Sequence, residues 1–221
     1  MTKPKAVLFD MDGTLLDTLD DLTSAVNRTM RLYAYPEHTR DEVRQFVGNG
    51  VNRLFELALP GGAGDPNFAE AVADYRIWYN AHAEIETKPY PGIPELLEAL
   101  EREGIASAVV SNKPDAATKK LTERFFPAVK ISVGENEAAG ILRKPAPDMV
   151  FEALSQMGVS VSDCVYVGDS EVDLRTAEAA GCRVVSVLWG FRSREQLAAE
   201  GARVFAPTPA DLFFLLTGKQ L

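Results

Sequence analysis

Two aspartates stand at the end of a short apolar segment near the start of the chain. Asp10 and Asp12 follow Ala6–Phe9, whose composition is typical of a buried parallel strand. In extended backbone, side chains two residues apart point to the same side, and Gly13 permits a turn at positive φ. Neighbouring carboxylates are costly unless a cation or a proton neutralises them. The pair is therefore a reason to look for a metal and for phosphate chemistry at the carboxyl edge of an open α/β sheet.

Polar residues recur where later strands are predicted to end or helices to begin. They are Ser111 and Asn112 after the apolar segment 106–110, Lys144 in Arg-Lys-Pro-Ala-Pro, and Asp169 with Asp173 after segment 164–168. Together with Asp-Met-Asp-Gly-Thr at 10–14, they resemble the four motifs of the haloacid dehalogenase-like hydrolases, in the same order. The resemblance implies an α/β fold with a Rossmann-like core, an inserted helical cap and phosphoryl-transfer chemistry.

The resemblance gives each carboxylate of the first motif a role. Asp10 would attack the phosphoryl group and form an aspartyl-phosphate, which divides hydrolysis into two steps. Asp12 would protonate the leaving alkoxide and then activate water, a role that contributes about 10²–10⁴-fold in rate. An aspartate at this second position favours phosphatases and phosphomutases over dehalogenases and phosphonatases, whose reactions need no acid to protonate an alkoxide.

The later motifs are implied to bind the phosphate group. Ser111 offers a hydroxyl and Asn112 a backbone amide where a strand is expected to lead into a helix, and both groups suit phosphate oxygens. The same residue types also fit a plain helix N-cap. Lys144 would offset the negative charge of Asp10 and of the transferred phosphoryl group.

Magnesium is the implied metal, because it prefers oxygen ligands and is held by few carboxylates together with substrate phosphate. Asp10 and Asp169 would donate side-chain oxygens, and Asp12 its backbone carbonyl. Asp173 would hold Lys144 or a metal-bound water, or would ligate the metal directly. A carboxylate in the first turn of a helix is also favoured by the helix dipole alone.

Strand-like and helix-like segments alternate along most of the chain. Beyond Ala6–Phe9, strands are predicted at 106–110, 129–133, 164–167 and 184–188. Helices are predicted to begin at Pro114-Asp115 and at Pro147-Asp148, and to end at Gly158 and Gly181. This alternation predicts an α/β fold whose core is a doubly wound parallel sheet with right-handed crossovers.

The segment 17–88 interrupts this alternation. Its apolar residues recur at intervals of three and four, which predicts helices near 19–33, 51–57 and 68–79. We therefore predict two domains, a Rossmann-like catalytic core of residues 1–16 and 89–221 and an all-helical cap of residues 17–88. Within the insert, Gly48, Asn49, Gly50 and Arg53 resemble the cap loop of the phosphoglycolate phosphatases. A Gly-Asn-Gly turn can present amides to an anion, and Arg53 could bind a carboxylate; an ordinary turn would have the same sequence.

The chain of 221 residues has a formal net charge of −9, which argues against a nucleic-acid-binding surface. No apolar segment approaches the roughly 18 residues that a membrane span requires, and the first residues lack the apolar core of a signal peptide. We therefore expect a cytoplasmic enzyme that acts on a small phosphorylated metabolite, with neither a nucleic acid nor a membrane as partner.

The favoured function is Mg²⁺-dependent hydrolysis of a phosphomonoester through an aspartyl-phosphate, with phosphoglycolate as first substrate. A phosphatase for another small ester or for pyrophosphate, and a β-phosphoglucomutase, share the core motifs. A mutase needs a second phosphate site, and no cationic cluster in the insert indicates one. A regulator that binds phosphate without catalysis belongs to a different class; the intact motif residues argue against it.

Several residues fall outside these motifs. Cys164 and Cys182 are predicted to be small buried hydrophobic residues, not a disulfide or a metal pair. His38 and His82 lack metal-ligand spacing and are expected at a surface or interface.

Three further residues and one segment near the motifs remain. Lys113 and Arg143 are predicted to be surface charges or helpers of the site, and Glu171 a helix-start carboxylate. The segment Trp-Gly-Phe-Arg at 189–192 resembles a segment of phosphatases of this subgroup and receives no role from the sequence.

Overall fold

A computed structural model describes residues 2–221. Its strands are β1 Ala6–Phe9, β2 Leu16–Asp17, β3 Lys88–Pro89, β4 Ala106–Pro114, β5 Ile131–Glu135, β6 Cys164–Gly168, β7 Arg183–Val187 and β8 Phe205–Ala206. Its α-helices are α1 Leu19–Leu32, α2 Arg40–Phe46, α3 Gly50–Ala58, α4 Phe68–His82, α5 Ile93–Arg102, α6 Asp115–Phe125, α7 Asp148–Met157, α8 Glu171–Ala180, α9 Arg194–Ala199 and α10 Pro209–Thr217. These elements fall into two compact units, residues 2–16 with 89–221, and Asp17–Lys88.

Six strands of the first unit form one parallel sheet in the order β5-β4-β1-β6-β7-β8. The central strand β1 pairs with β4 on one side and β6 on the other, so Phe9 lies beside Val109 and Val167. Parallel pairing brings the carboxyl ends of these three strands to one edge of the sheet. The predicted α/β fold with a doubly wound parallel sheet is confirmed.

Both faces of the sheet are covered, which explains why its central strand β1 is apolar throughout. Val7 and Phe9 pack in a cluster with residues of α5 and α10, whereas Ala6 and Leu8 pack in a cluster with residues of α7 and α8. The alternation follows from the two-residue period of a strand. Helix packing on both faces thus holds β1, and the residues that follow it, in a fixed position.

The boundaries of some elements differ from prediction. Strand β4 continues to Pro114, so Ser111 and Asn112 lie inside a strand and not at the start of a helix. The pairing of β4 with β5 resumes at Pro114 after a register shift, which carries the strand past the expected end. The predicted helix starts at Asp115 and Asp148 are confirmed, as are the helix ends before Gly158 and Gly181.

The unit Asp17–Lys88 contains α1 to α4, of which α2 was not predicted. Phe55 and Tyr75 pack edge to face in its interior, with ring centroids 5.1 Å apart. The buried carboxylate of Asp21 accepts hydrogen bonds from the backbone amides of residues 85–87, which ties α1 to the end of the unit. None of the helices in residues 2–221 combines the length and the apolar character that a membrane crossing demands.

Candidate active site

One buried lysine pairs with two buried carboxylates at the carboxyl edge of the sheet. Lys144 Nζ lies 2.8 Å from Asp10 Oδ1 and 2.8 Å from Asp173 Oδ1. Asp10 follows β1 directly, Asp173 lies in the first turn of α8, and Lys144 precedes α7. The fold therefore assembles, from three distant parts of the chain, an ammonium group between two carboxylates.

Asp169 follows β6 and is held by contacts on both of its oxygens. Thr14 Oγ1 donates to Asp169 Oδ1 at 3.0 Å, and the Phe191 amide donates to Oδ2 at 2.7 Å. Gly13 has a φ of +82°, and a Cβ at that position would lie 2.4 Å from Asp169 Oδ2. Gly13 is therefore required for two reasons: the turn needs a positive φ, and Asp169 lies too close to leave room for a side chain.

The segment 189–192, which received no role from the sequence, packs directly against the loop that follows β1. Trp189 Nε1 donates to the Thr14 carbonyl at 2.9 Å. A Cβ on Gly190 would lie 2.3 Å from Gly13 O and 2.4 Å from Asp169 Cβ. With the Phe191 amide, this segment fixes the position of the Asp169 carboxylate. A glycine between two aromatic residues after a strand is the signal that could have indicated this close approach.

Asp173 accepts hydrogen bonds on both of its oxygens. Oδ1 accepts from Lys144 Nζ at 2.8 Å and from the Tyr166 hydroxyl at 3.2 Å. Oδ2 accepts from Ser170 Oγ at 2.6 Å and from the Ser170 amide at 3.1 Å, which completes a capping box at the start of α8. Asp173 is therefore both a helix cap and the partner of Lys144. Tyr166 points into the site from the interior of β6, and sequence analysis missed it because its position looks like ordinary core.

Asn112 holds the backbone of Lys144. Its Oδ1 accepts from the Lys144 amide at 2.7 Å, and its Nδ2 donates to the Lys144 carbonyl at 3.1 Å. Ser111 is buried beside it in β4, and its Oγ accepts from the Lys113 amide at 3.3 Å. The structure thus places both predicted phosphate-binding residues at the same edge of the sheet as Asp10.

Two cations near the site pair with carboxylates. Lys113 is only 6% exposed, and its Nζ lies 3.2 Å from Asp12 Oδ1. That oxygen is buried and accepts no hydrogen bond within residues 2–221, so the pairing is electrostatic. Of the two alternatives predicted for Lys113, its burial excludes a surface charge, and its contact with Asp12 agrees with a helper of the site. Arg192, also buried, pairs with Glu171, the first residue of α8, with Nε and Oε2 3.0 Å apart.

Burial and mutual repulsion shift the titration of these groups. Burial raises the pKa of Asp10 well above its usual value, Asp173 adds to the rise, and Lys144 opposes it. Burial and the charge of Asp173 raise the pKa of Asp169 to about 7. Burial alone would lower the pKa of Lys144, but Asp10 and Asp173 outweigh it and the pKa is raised well above normal. The ammonium group therefore stays charged.

The donor set fits a hard divalent cation. Three carboxylates each offer an oxygen within 4.8 Å of the other two: Asp10, Asp169 and Asp173. Asp12 adds a fourth negative charge, and the ammonium groups of Lys113 and Lys144 supply two positive charges. When all four carboxylates are ionised, their charge exceeds that of the two ammonium groups by two, which one divalent cation would neutralise. Oxygen-only donors are those that Mg²⁺ prefers.

The residues predicted to choose the substrate lie in the other unit. Gly48 and Gly50 have φ values of +124° and +80°, and Asn49 is the N-cap of α3. Arg53 is exposed on α3, and its Nη1 donates to Glu56 Oε2 at 2.8 Å. The glycines thus suit a sharp turn. The assignment of Arg53 to a substrate carboxylate stays a prediction.

A comparison with known proteins agrees with the motifs that the site contains. A family model described as haloacid dehalogenase-like hydrolase matches residues 7–187. This stretch contains all four motifs, from Asp10 to Asp173, and spans most of the chain.

Individual relatives are similar over nearly the whole chain. Phosphoglycolate phosphatase 1 of Pseudomonas aeruginosa is 31% identical over 95% of this chain and 78% of its own length. N-acetylmuramic acid 6-phosphate phosphatase of the same organism is 31% identical over 96% of this chain and 94% of its own. A crystal structure of a proposed phosphoglycolate phosphatase from Lactobacillus delbrueckii subsp. bulgaricus has a TM-score of 0.93 and 35% identity, covering 98% of this chain and 100% of the other. The chain belongs to the haloacid dehalogenase-like hydrolases.

Proposed function

We propose that this protein is a Mg²⁺-dependent phosphomonoester hydrolase that forms an aspartyl-phosphate on Asp10. The observation that supports this most is the buried Lys144, which pairs with Asp10 and Asp173 while one oxygen of Asp169 lies within 4.8 Å of an oxygen of each of these carboxylates. Such a cluster combines a nucleophile, a fixed positive charge and oxygen donors for a cation.

Asp10 is oriented by contacts to one of its two oxygens. Oδ1 accepts from the Met11 amide at 2.7 Å and from Lys144 Nζ at 2.8 Å. The other oxygen, Oδ2, is the one that we assign to attack on phosphorus. Lys144 keeps its charge beside it, so it stabilises the ionised nucleophile and then the negative charge of the phosphoryl group.

Asp12 serves as the acid and the base of the two steps. As an acid it protonates the alkoxide that leaves when Asp10 is phosphorylated, and as a base it takes a proton from the water that hydrolyses the phosphoenzyme. The Lys113 ammonium lies 3.2 Å from Asp12 Oδ1 and holds the Asp12 side chain in place for both steps.

Asp10 and Asp169 would hold Mg²⁺ through side-chain oxygens, and Asp12 through its backbone carbonyl. The ion supplies positive charge to phosphoryl oxygens when bound. Asp173 already accepts hydrogen bonds from Lys144, Tyr166 and Ser170. We therefore assign Asp173 to the positioning of Lys144 and not to the metal.

Phosphoglycolate is the substrate that we propose first. The relatives named phosphoglycolate phosphatase support it, and so does the Gly48–Gly50 turn followed by Arg53. Arg53 would exchange its ion pair with Glu56 for the substrate carboxylate. N-acetylmuramic acid 6-phosphate is the second candidate, supported by a relative that acts on it and matches 96% of this chain. Both esters carry a carboxylate in addition to the phosphate group.

A comparison of kcat/KM values in the presence of Mg²⁺ tests the proposal. The set is phosphoglycolate, N-acetylmuramic acid 6-phosphate, pyrophosphate, β-glucose 1-phosphate and p-nitrophenyl phosphate. Phosphoglycolate should give the highest value. Glucose 6-phosphate formed without phosphate release would identify a mutase. Absence of turnover on every compound would refute hydrolysis of these substrates and favour a phosphate-binding regulator.

A further inference from the structure

The two cysteines of the chain are direct neighbours across two strands. Strands β6 and β7 pair in parallel with Val165 beside Arg183, and Cys164 and Cys182 each come one residue earlier. Their sulfur atoms lie 3.2 Å apart, and both thiols are free. Sequence spacing gives no sign of this contact, because the partner of a strand and its register are set by the fold.

The two side chains lie on the same face of the sheet. Cys164 belongs to the apolar cluster that also contains residues of α7 and α8, and Cys182 packs against the same cluster. Neighbouring strands are about 4.8 Å apart, which is inside the Cα separation of about 4.4–6.8 Å that disulfides show. The sulfur atoms would need to approach by only about 1.2 Å to reach the bonding distance of about 2.05 Å.

The two thiols differ in exposure and in acidity. Cys164 is buried, whereas Cys182 is partly exposed. The hydrogen bond from Cys182 lowers the pKa of Cys164, and the Arg183 guanidinium acts in the same direction. The same hydrogen bond and burial raise the pKa of Cys182. Cys164 is therefore the thiol that ionises first, and solvent reaches the pair from the side of Cys182.

We propose that Cys164 and Cys182 form a redox-active dithiol that hydrogen peroxide oxidises to an intramolecular disulfide. The Cys164 thiolate attacks one peroxide oxygen, the O–O bond breaks, and the hydroxide that leaves takes a proton to become water. The Cys182 sulfur then attacks the sulfenic acid sulfur, the S–O bond breaks, and the Cys182 proton leaves with the hydroxide as a second water. Two thiols lose two electrons and one peroxide gains them.

This site is separate from the phosphatase site. The dithiol stands at the amino ends of β6 and β7, whereas Asp169 follows the carboxyl end of β6. Oxidation can therefore be measured without any assay of hydrolysis, and its outcome does not depend on the proposed substrate.

The test uses the reduced full-length protein after removal of reductant. It is treated with hydrogen peroxide, denatured, alkylated at its remaining thiols and weighed by mass spectrometry. We expect an intact mass lower by two hydrogen atoms with neither cysteine alkylated, a cross-linked peptide pair after digestion, and recovery of both thiols with dithiothreitol. The rate should not depend on protein concentration, because the bond forms within one chain.

Cys164→Ser and Cys182→Ser are matched variants. After peroxide treatment, the intact mass of each variant should not fall by two hydrogen atoms, and its remaining cysteine should stay alkylatable or carry added oxygen. The wild-type measurement stands by itself even if a variant folds poorly. The proposal is overturned if wild-type protein keeps two alkylatable thiols after peroxide, gains oxygen without a cross-link, or couples at a rate that rises with protein concentration.

Discussion

Gly190→Ala tests how the site holds Asp169. The added Cβ would lie 2.3 Å from Gly13 O and 2.4 Å from Asp169 Cβ, whereas nonbonded carbons pack at about 3.5–4.0 Å. Neither neighbour is the far end of a flexible side chain, so the two loops or Asp169 must move by about 1 Å. A displacement of about 1 Å costs on the order of 10²-fold in rate, and overpacking costs about 1–3 kcal/mol of stability. We expect kcat/KM to fall about 100-fold and the Mg²⁺ concentration for half-maximal activity to rise.

The assay is a Mg²⁺ titration of phosphate release, together with a thermal melt. Gly64→Ala is the matched control, because a Cβ there would meet no atom within 4 Å, and it should leave kcat/KM and the Mg²⁺ dependence unchanged. A Gly190→Ala protein with wild-type activity and wild-type Mg²⁺ dependence would show that segment 189–192 does not position Asp169.

Four further predictions concern the nucleophile, the metal, the pH and the substrate. Asp10→Asn should abolish turnover and leave the protein folded, with a cooperative thermal melt. Asp12→Asn should slow both the formation and the hydrolysis of the phosphoenzyme in rapid-quench experiments. A kcat near the wild-type value in either variant would contradict the assigned roles. EDTA should abolish activity, Mg²⁺ should restore it, and Ca²⁺ should inhibit, since Ca²⁺ takes more ligands at longer distances; full activity in EDTA would exclude the metal. Because burial raises the pKa of Asp169 from 3.8 to about 7, its contribution to the stability of the metal-free protein is lost as pH rises through 7. Mg²⁺ should therefore raise the melting temperature more above this pH than below it, and Asp169→Asn should reduce that difference; part of it should remain, because the pKa of Asp10 is raised as well. Arg53→Ala should lower kcat/KM for phosphoglycolate roughly 10- to 150-fold, the equivalent of about 1.5–3 kcal/mol, with little change for p-nitrophenyl phosphate; equal losses on both would refute carboxylate recognition.

The family and the fold class were predictable from sequence because their signals are local. Ala6–Phe9 predicts a buried strand by its composition, and the residues directly after it carry the first motif. The helix starts at Asp115 and Asp148 depend on neighbouring residues only, and they are confirmed. Local patterns failed where tertiary contacts decide, as at β4, whose pairing with β5 extends it to Pro114.

The arrangement around the carboxylates was decided by the tertiary structure. Thr14 and Asp169 are 155 residues apart, and Phe191 reaches the same carboxylate from a loop after another strand. The sequence left Lys113 open between a surface charge and a helper of the site, because nothing near it in sequence shows that Asp12 lies 3.2 Å away. The amino-acid sequence by itself determined which residue types stand at the ends of strands, since strand and helix signals extend over a few residues. Strand order and register determined which of those residues meet, because both depend on packing of the whole core on the two faces of the sheet.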